Sequence, residues 1–116
     1  MAKNTLGLVF FPAFDWMISP GHPERQERLL YTRDQLEEEG LFDCEEIREY
    51  RPRLAEINDL QRAHVGVPAI SRVITPAHLT SAGGCLVAAD AVMKGEVKRA
   101  FALVRPPGHH AMRVVH

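Results

Sequence analysis

The stretch that decides the fold runs from Arg99 to Ala111 and reads RAFALVRPPGHHA. Its first part, Arg99 to Val104, is a mostly apolar run without regular polar alternation, which is typical of a strand buried on both faces in a parallel sheet. Two prolines and a glycine follow, and proline lacks the backbone N–H that a continuing strand would need. The sequence therefore predicts a buried strand that ends in a stiff loop carrying two adjacent histidines, His109 and His110.

Strand and helix patterns alternate along the rest of the chain. The continuous apolar run from Leu6 to Phe11 predicts another buried strand, and Glu45 to Tyr50 predicts a short one. Apolar residues at helical spacing predict three helices, which begin near Pro23, Glu56 and Thr75 and end near Gly40, Ala63 and Gly95. This order of elements favours an α/β layer fold with a parallel sheet.

The last of these helices is rich in small residues, among them Gly83 and Gly84. Because glycine costs about 1 kcal/mol against alanine inside a helix, this pair predicts that a neighbouring backbone approaches closely. Cys85 on the same helix and Cys44 are far apart in sequence and make no metal-type pair. We expect both to be reduced thiols in the core.

Length, composition and charge limit what the chain can do. Its 116 residues are enough for one domain, which we expect to span residues 1–116. Lys and Arg number 14 against 15 Asp and Glu, so no charge excess favours nucleic acid or an anionic membrane as a partner. The apolar runs are too short to cross a bilayer, and no signal-peptide cleavage site is evident, which favours the cytoplasm.

The two adjacent histidines are the candidate chemical groups. Ligands of parallel sheets bind beyond the carboxyl ends of the strands, and His109 and His110 follow such an end. Imidazole is the side chain best suited to general acid–base catalysis near neutral pH. Two histidines in a loop can also be ordinary surface or core residues. The strand followed by Pro-Pro-Gly favours the catalytic interpretation without excluding the other.

The motif RPPGHHA at 105–111 resembles the signature of the histone deacetylase superfamily, which includes acetylpolyamine amidohydrolases and acetoin-utilisation proteins. The compact Gly-His-His spacing is similar to that of the class II and bacterial branch. Other segments match the family in the same order: HPERQERL at 22–29, Leu60 with His64, TSAGG at 80–84, AADAV at 88–92 and FALV at 101–104. The resemblance covers nearly the whole chain.

The resemblance implies an arginase/deacetylase-like α/β fold, present here in part. We expect about three parallel strands in the order second, first, third, with flanking helices. The implied activity is metal-dependent hydrolysis of N-acetyl amides such as acetyl-lysine or acetylpolyamine, in which Zn²⁺ polarises the amide carbonyl and activates water. By motif match, His109 is then the general base and His110 protonates the leaving amine.

The resemblance also implies a pocket for substrate or product, lined by Arg25 and Gly108. From the residues alone, Arg25 could instead be a helix-surface arginine paired with Glu24 or Glu27. The other histidines are assigned structural or exposed positions: we expect His22 and His64 to cap or pack and His78 to be exposed on the first turn of its helix.

The chain departs from the family in two ways. The two Asp and one His that bind zinc, the carboxylates behind the histidines and the oxyanion-stabilising tyrosine all lie downstream in the family, whereas the sequence ends at His116. The stretch between His64 and the small-residue helix is also shorter than in the family. We therefore expect no family-type zinc site, no metal ligand among these residues, and no activity of this chain alone.

Three hypotheses follow. The chain is the N-terminal piece of a deacetylase-like amidohydrolase, or it is a non-enzymatic module derived from one that self-associates through an exposed sheet edge. The third is an unrelated metal-binding domain that uses His109, His110 and His116. Because the strand that flanks the third strand in the family is absent, its edge is exposed, and we expect the chain to be a dimer or a marginally stable monomer.

Overall fold

Three parallel strands form one sheet in the order β2-β1-β3. The computed structural model describes residues 4–13, 21–62 and 76–107. Within these ranges the strands are β1 (Asn4–Phe11), β2 (Ile47–Tyr50) and β3 (Val97–Val104). The predicted number of strands, their parallel direction and their order are confirmed.

The strand register aligns the carboxyl ends of β1 and β3. Phe11, the last residue of β1, is the partner of Val104, the last residue of β3. The backbone N–H of Arg105 continues the ladder by donating to the Phe11 carbonyl at 3.1 Å. The chain therefore leaves both strands at the same edge of the sheet, with Pro12 beside Arg105.

The helices are α1 (Gln26–Glu38), α2 (Ile57–Gln61) and α3 (Pro76–Met93), and a 3-10 turn at Leu41–Asp43 follows α1. The three predicted helices are confirmed, but the prediction that α1 begins at Pro23 is wrong. Arg25 is still extended, with φ −151°, and the helix starts after it. Thr75, near which α3 is predicted to begin, lies outside the described residues.

Both α1 and α3 end within two residues of the glycines that were predicted to terminate them. Gly40 and Gly95 both adopt φ +77°, a left-handed conformation that an L side chain resists. After α3, the backbone N–H of Gly95 donates to the Val92 carbonyl and that of Glu96 to the Ala91 carbonyl, each at 3.0 Å. These bonds satisfy carbonyls that the helix end leaves free and turn the chain directly into β3.

The sheet lies between α1 and α3. Side chains alternate along β1, so Leu6 and Leu8 face α1 and line a groove with its Thr32 and Leu36. Val9 points to the opposite face, toward Gly84 of α3, and is fully buried. The core is therefore divided between the two faces of a thin sheet.

Close packing of α3 confirms the prediction from its glycines. A Cβ atom at Gly83 would overlap the backbone carbonyl of Arg53, and one at Gly84 would lie 3.0 Å from the Val104 side chain. The loop after β2 is tied to the same helix, because the Ala55 N–H donates to the Leu79 carbonyl at 2.9 Å. The missing side chains at these two positions allow both neighbours to approach.

Several burial predictions are wrong. Cys44 and Cys85 are free thiols, but both are exposed: Cys44 follows the 3-10 turn, and Cys85 points away from the sheet, unlike its buried neighbour Gly84. His78 is half-buried rather than exposed. β3 is not buried on both faces, since Phe101 is 58% exposed at the edge of the sheet. No helix in the described ranges is long and apolar enough to cross a membrane.

Candidate active site

The histidine loop leaves the sheet at the carboxyl edge, where the predicted site should lie. The structure describes this segment as far as Pro107; Gly108, His109 and His110 lie outside the described residues, as do His64 and His116. The side chains that surround Arg105 and Pro106 therefore define how the loop begins.

Arg105 is the best-buried charged group in the described part of the chain, with no exposed surface. Its Nη1 donates to the carbonyls of Pro12 at 2.7 Å and Ala13 at 2.8 Å, just after β1. Its Nε and Nη2 donate to the two carboxylate oxygens of Glu24 at 2.9 and 3.0 Å. This two-point contact uses the planar fork of the guanidinium and fixes its orientation.

Glu24 belongs to the HPER segment before α1, and its side chain is 16% exposed. The hydrogen bond from Arg105, the largest influence, holds the pKa of the Glu24 carboxyl below its usual value, partly offset by burial and aided by Arg28 at 3.3 Å. The backbone N–H of Glu24 donates to Nδ1 of His22 at 3.0 Å. His22 thus stabilises the turn that presents Glu24, in keeping with its expected structural role.

A second contact holds the loop from the side of α3. The Ser81 hydroxyl, which is buried, donates to the Pro106 carbonyl at 2.9 Å. The preceding Arg105–Pro106 peptide bond is cis. Segments from four parts of the sequence therefore meet at the start of the histidine loop: the turn after β1, the HPER segment, α3 and the end of β3.

Arg25, the predicted pocket residue, lies at the N-terminus of α1 with its side chain 50% exposed. Its Nε is 3.4 Å from Oε2 of Glu27. This pairing is the arrangement expected of a helix-surface arginine, and a pocket role for Arg25 stays a prediction. The arginine that enters the interior is Arg105 instead.

The described residues do not fit the zinc that the resemblance implies. Within residues 4–13, 21–62 and 76–107, no group of three His, Cys, Asp or Glu side chains comes close enough to hold a metal ion. A zinc site of the catalytic kind needs three protein ligands. We therefore assign no step of the reaction to a metal bound by these ranges.

An apolar groove of about 280 Å³ lies on the α1 face of the sheet. It runs between α1, the 3-10 turn and all three strands, and its lining side chains are apolar apart from Thr32. Phe101 and Leu103 form its side toward the outer strand, and Phe101 is 58% exposed. The groove lies across the middle of the sheet, whereas Arg105 lies at its carboxyl edge.

Comparisons with known proteins identify the fold and the motif. Residues 65–115 match the histone deacetylase domain family. A probable deacetylase of Archaeoglobus fulgidus is 40% identical over 111 residues, covering 80% of this chain and 31% of that protein. The crystal structure of the HDA15 HD domain superposes with a TM-score of 0.81 at 25% identity, covering 99% of this chain and 39% of that one. The chain belongs to the histone deacetylase superfamily.

This membership confirms the partial arginase/deacetylase-like fold and contradicts the hypothesis of an unrelated metal-binding domain. The polyamine deacetylase HDAC10 of Danio rerio is 58% identical over 33 residues, which are 28% of this chain and 5% of that protein. The chain spans about a third of the length of its archaeal relative, and it fits the N-terminal portion of the domain.

Reasoning from the sequence missed the roles of Arg105, Glu24 and Ser81. Two signals were present: Arg105 is a charge between a buried strand and a proline, and Glu24 lies within a motif that matches the family. Neither signal indicates which residue would form a hydrogen bond with the other. The carboxylate and the guanidinium are 81 residues apart in sequence, so only the fold brings them together.

Proposed function

We propose that this chain carries the acid–base part of the active site of a metal-dependent deacetylase that hydrolyses N-acetyl amides, such as acetyl-lysine or acetylpolyamine. The observation that supports this is where RPPGHHA begins: Arg105 leaves β3 beside the end of β1. That edge is where parallel α/β sheets bind their ligands. The relatives named as a probable deacetylase and a polyamine deacetylase agree with this class of reaction.

In the proposed reaction the two histidines share the proton transfers. Water attacks the acetyl carbonyl carbon, and neutral His109 takes a proton from that water. Protonated His110 then gives a proton to the amine nitrogen as the C–N bond breaks, which releases acetate and the free amine. Arg25 and Gly108 line the pocket that holds the acetyl group or the departing acetate. In the family, zinc supplies the polarisation of the carbonyl.

The chain is proposed to be inactive alone. The described residues provide no three-ligand cluster, and the chain spans 31% of its archaeal relative. A histidine pair without a polarised carbonyl leaves the slow step, attack of water on a stable amide, without its main stabilisation. On this view residues 1–116 are one folding unit that forms part of a larger catalytic domain.

A direct assay tests both parts of this proposal. The chain alone should release no acetate from an acetyl-lysine peptide or an N-acetylpolyamine. A chimera in which this chain replaces the matching N-terminal part of the Archaeoglobus protein should deacetylate at least one of them. In that chimera, His109→Ala or His110→Ala should lower kcat/KM by about 10²- to 10⁴-fold.

The matched control is His78→Ala, which removes a half-buried histidine that lies on α3 and has no role in the proposed reaction. It should leave kcat/KM within about twofold of the parent chimera. Activity of the chain alone would contradict its proposed inactivity. A folded chimera that is inactive, or one that keeps its activity without His109 and His110, would contradict the proposed function.

A second candidate is a non-enzymatic module that associates with a copy of itself. The observation that favours it is Phe101, a large apolar side chain 58% exposed on the outer strand β3 beside the apolar groove. An uncovered strand edge of this kind pairs readily with another chain.

For both candidate functions we propose that the protein lies in the cytoplasm. The free, exposed thiols of Cys44 and Cys85 support this location.

A further inference from the structure

The burial of Arg105 is energetically costly, and a gain in stability alone does not explain it. Removing a guanidinium from water costs several kcal/mol, and a buried ion pair is often no more stabilising than apolar residues of the same volume. Arg105 is nevertheless fully buried, with Glu24, Pro12 and Ala13 as acceptors. Such a pair fixes orientation better than apolar packing does, because the planar guanidinium donates its hydrogen bonds only at fixed angles.

The contacts at the start of the loop act from two sides. Glu24 and the turn after β1 hold the side chain of Arg105, while Ser81 of α3 holds the carbonyl of the next residue, Pro106. Both residues are buried. Only Pro107 and Gly108 separate this fixed point from His109. The contacts of Arg105 and Pro106 therefore lie within a few residues of both histidines in the sequence.

We propose that Glu24, Arg105 and Ser81 are positioning residues, which hold the root of the histidine loop so that His109 and His110 face the reaction in one arrangement. The inference rests on the proposed function of the two histidines. Glu24 acts through Arg105 and Ser81 acts through Pro106, and none of the three touches the substrate. The segment HPER then contributes to the site by its glutamate as well as by the pocket role expected of Arg25.

Nuclear magnetic resonance of the chain itself tests this without any deacetylase assay. With the histidine rings labelled with ¹⁵N, Glu24→Gln should shift and broaden the signals of His109 and His110. Amide exchange at Arg105 should rise about tenfold more than exchange at Val9 in the middle of β1. The control Glu27→Gln removes a half-buried charge that pairs with Arg25 and should change neither measurement.

If the Glu24→Gln chain fails to fold, two further measurements test the same proposal. Ser81→Ala removes the second contact with little change in volume and should disturb the same two histidine signals. In the unaltered chain, these signals should show a transition below pH 4.5, the usual pKa of a glutamate, at a pH where the amides of β1 are still protected.

The outcomes separate positioning from a merely structural role. Folded variants with unaltered signals from His109 and His110 would overturn the proposal. So would loss of protection at Val9 and Arg105 to the same extent, or an acid transition in which the histidines and β1 change together. Because deacetylation is not measured, an inactive chimera would count against the proposed function while these results still decide the role of Glu24, Arg105 and Ser81.

Discussion

At the scale of single residues, the buried charge of Arg105 joins several segments at the carboxyl edge of the sheet. Arg105 follows an apolar strand, and its partner Glu24 lies 81 residues earlier in the sequence. A charge in this position is tolerated because Glu24 accepts with both carboxylate oxygens and two backbone carbonyls accept as well. Partly exposed pairs such as Arg25 with Glu27 are screened by water and contribute little.

The pH dependence of stability should reveal this pair. The pKa of Glu24 is lowered in the folded chain, so its contribution is fully present above the unfolded pKa, near 4.5, and is lost as the pH falls through the folded pKa. We expect the free energy of unfolding, measured with urea, to decrease below about pH 4.5. Glu24→Gln should remove this part of the pH dependence.

The same variant should be less stable at pH 7 by about 3 kcal/mol, the lower end of the cost of unpairing a buried charge. The lower end applies because Glu24 is still 16% exposed. Glu27→Gln is the matched control and should change stability by less than about 0.5 kcal/mol. A Glu24→Gln chain with unaltered stability and pH profile would show that the pair contributes nothing to the fold.

At the scale of elements, the sequence patterns predict most of what is observed. The apolar run at Leu6–Phe11 becomes β1, and Gly40 and Gly95 end their helices in the left-handed conformation. Local patterns succeed here because a strand or a helix end is specified by a few neighbouring residues. They fail at the start of α1, where the extended Arg25 delays the helix beyond Pro23.

Close packing of α3 gives a prediction at this scale. Alanine is the better helix former by about 1 kcal/mol, yet Gly83→Ala would place a methyl group on the Arg53 carbonyl. Backbone cannot move as a side-chain tip can, so we expect a net loss of about 3 kcal/mol in the free energy of unfolding.

Gly84→Ala on the same helix is the comparison. Its new methyl group would lie 3.0 Å from Cγ1 of Val104 and 3.3 Å from Cγ1 of Val9, which are side-chain atoms that can shift. The stability of Gly84→Ala should remain within about 1 kcal/mol of the parent. Equal urea midpoints for the two variants would argue against close approach of Arg53 to the helix.

At the scale of the whole molecule, the sheet is covered unevenly. α3 packs closely on one face, while the α1 face keeps an apolar groove that opens beside Phe101. β3 is the outer strand on this side, and in the described sheet it pairs with β1 alone. The sequence predicted that β3 would be buried, because an apolar run alone does not tell whether its strand lies inside a sheet or at its edge.

An exposed apolar strand edge predicts self-association of the isolated chain. Sedimentation velocity should show a concentration-dependent dimer, and Phe101→Ser should shift it toward monomer by removing apolar surface from the edge. Tyr31→Ser is the control, since Tyr31 is 68% exposed on α1 and is not part of the groove. A chain that remains monomeric at every concentration would contradict the self-associating module.

The sequence by itself determined the elements, their order and the superfamily. These depend on local patterns, namely apolar runs, terminating glycines and the RPPGHHA motif with its companion segments. Only the tertiary structure decided which arginine is buried, which residues hold the loop, and which apolar and thiol side chains stay exposed. These features arise between residues far apart in the chain, and a local pattern carries no information on what a side chain meets after folding.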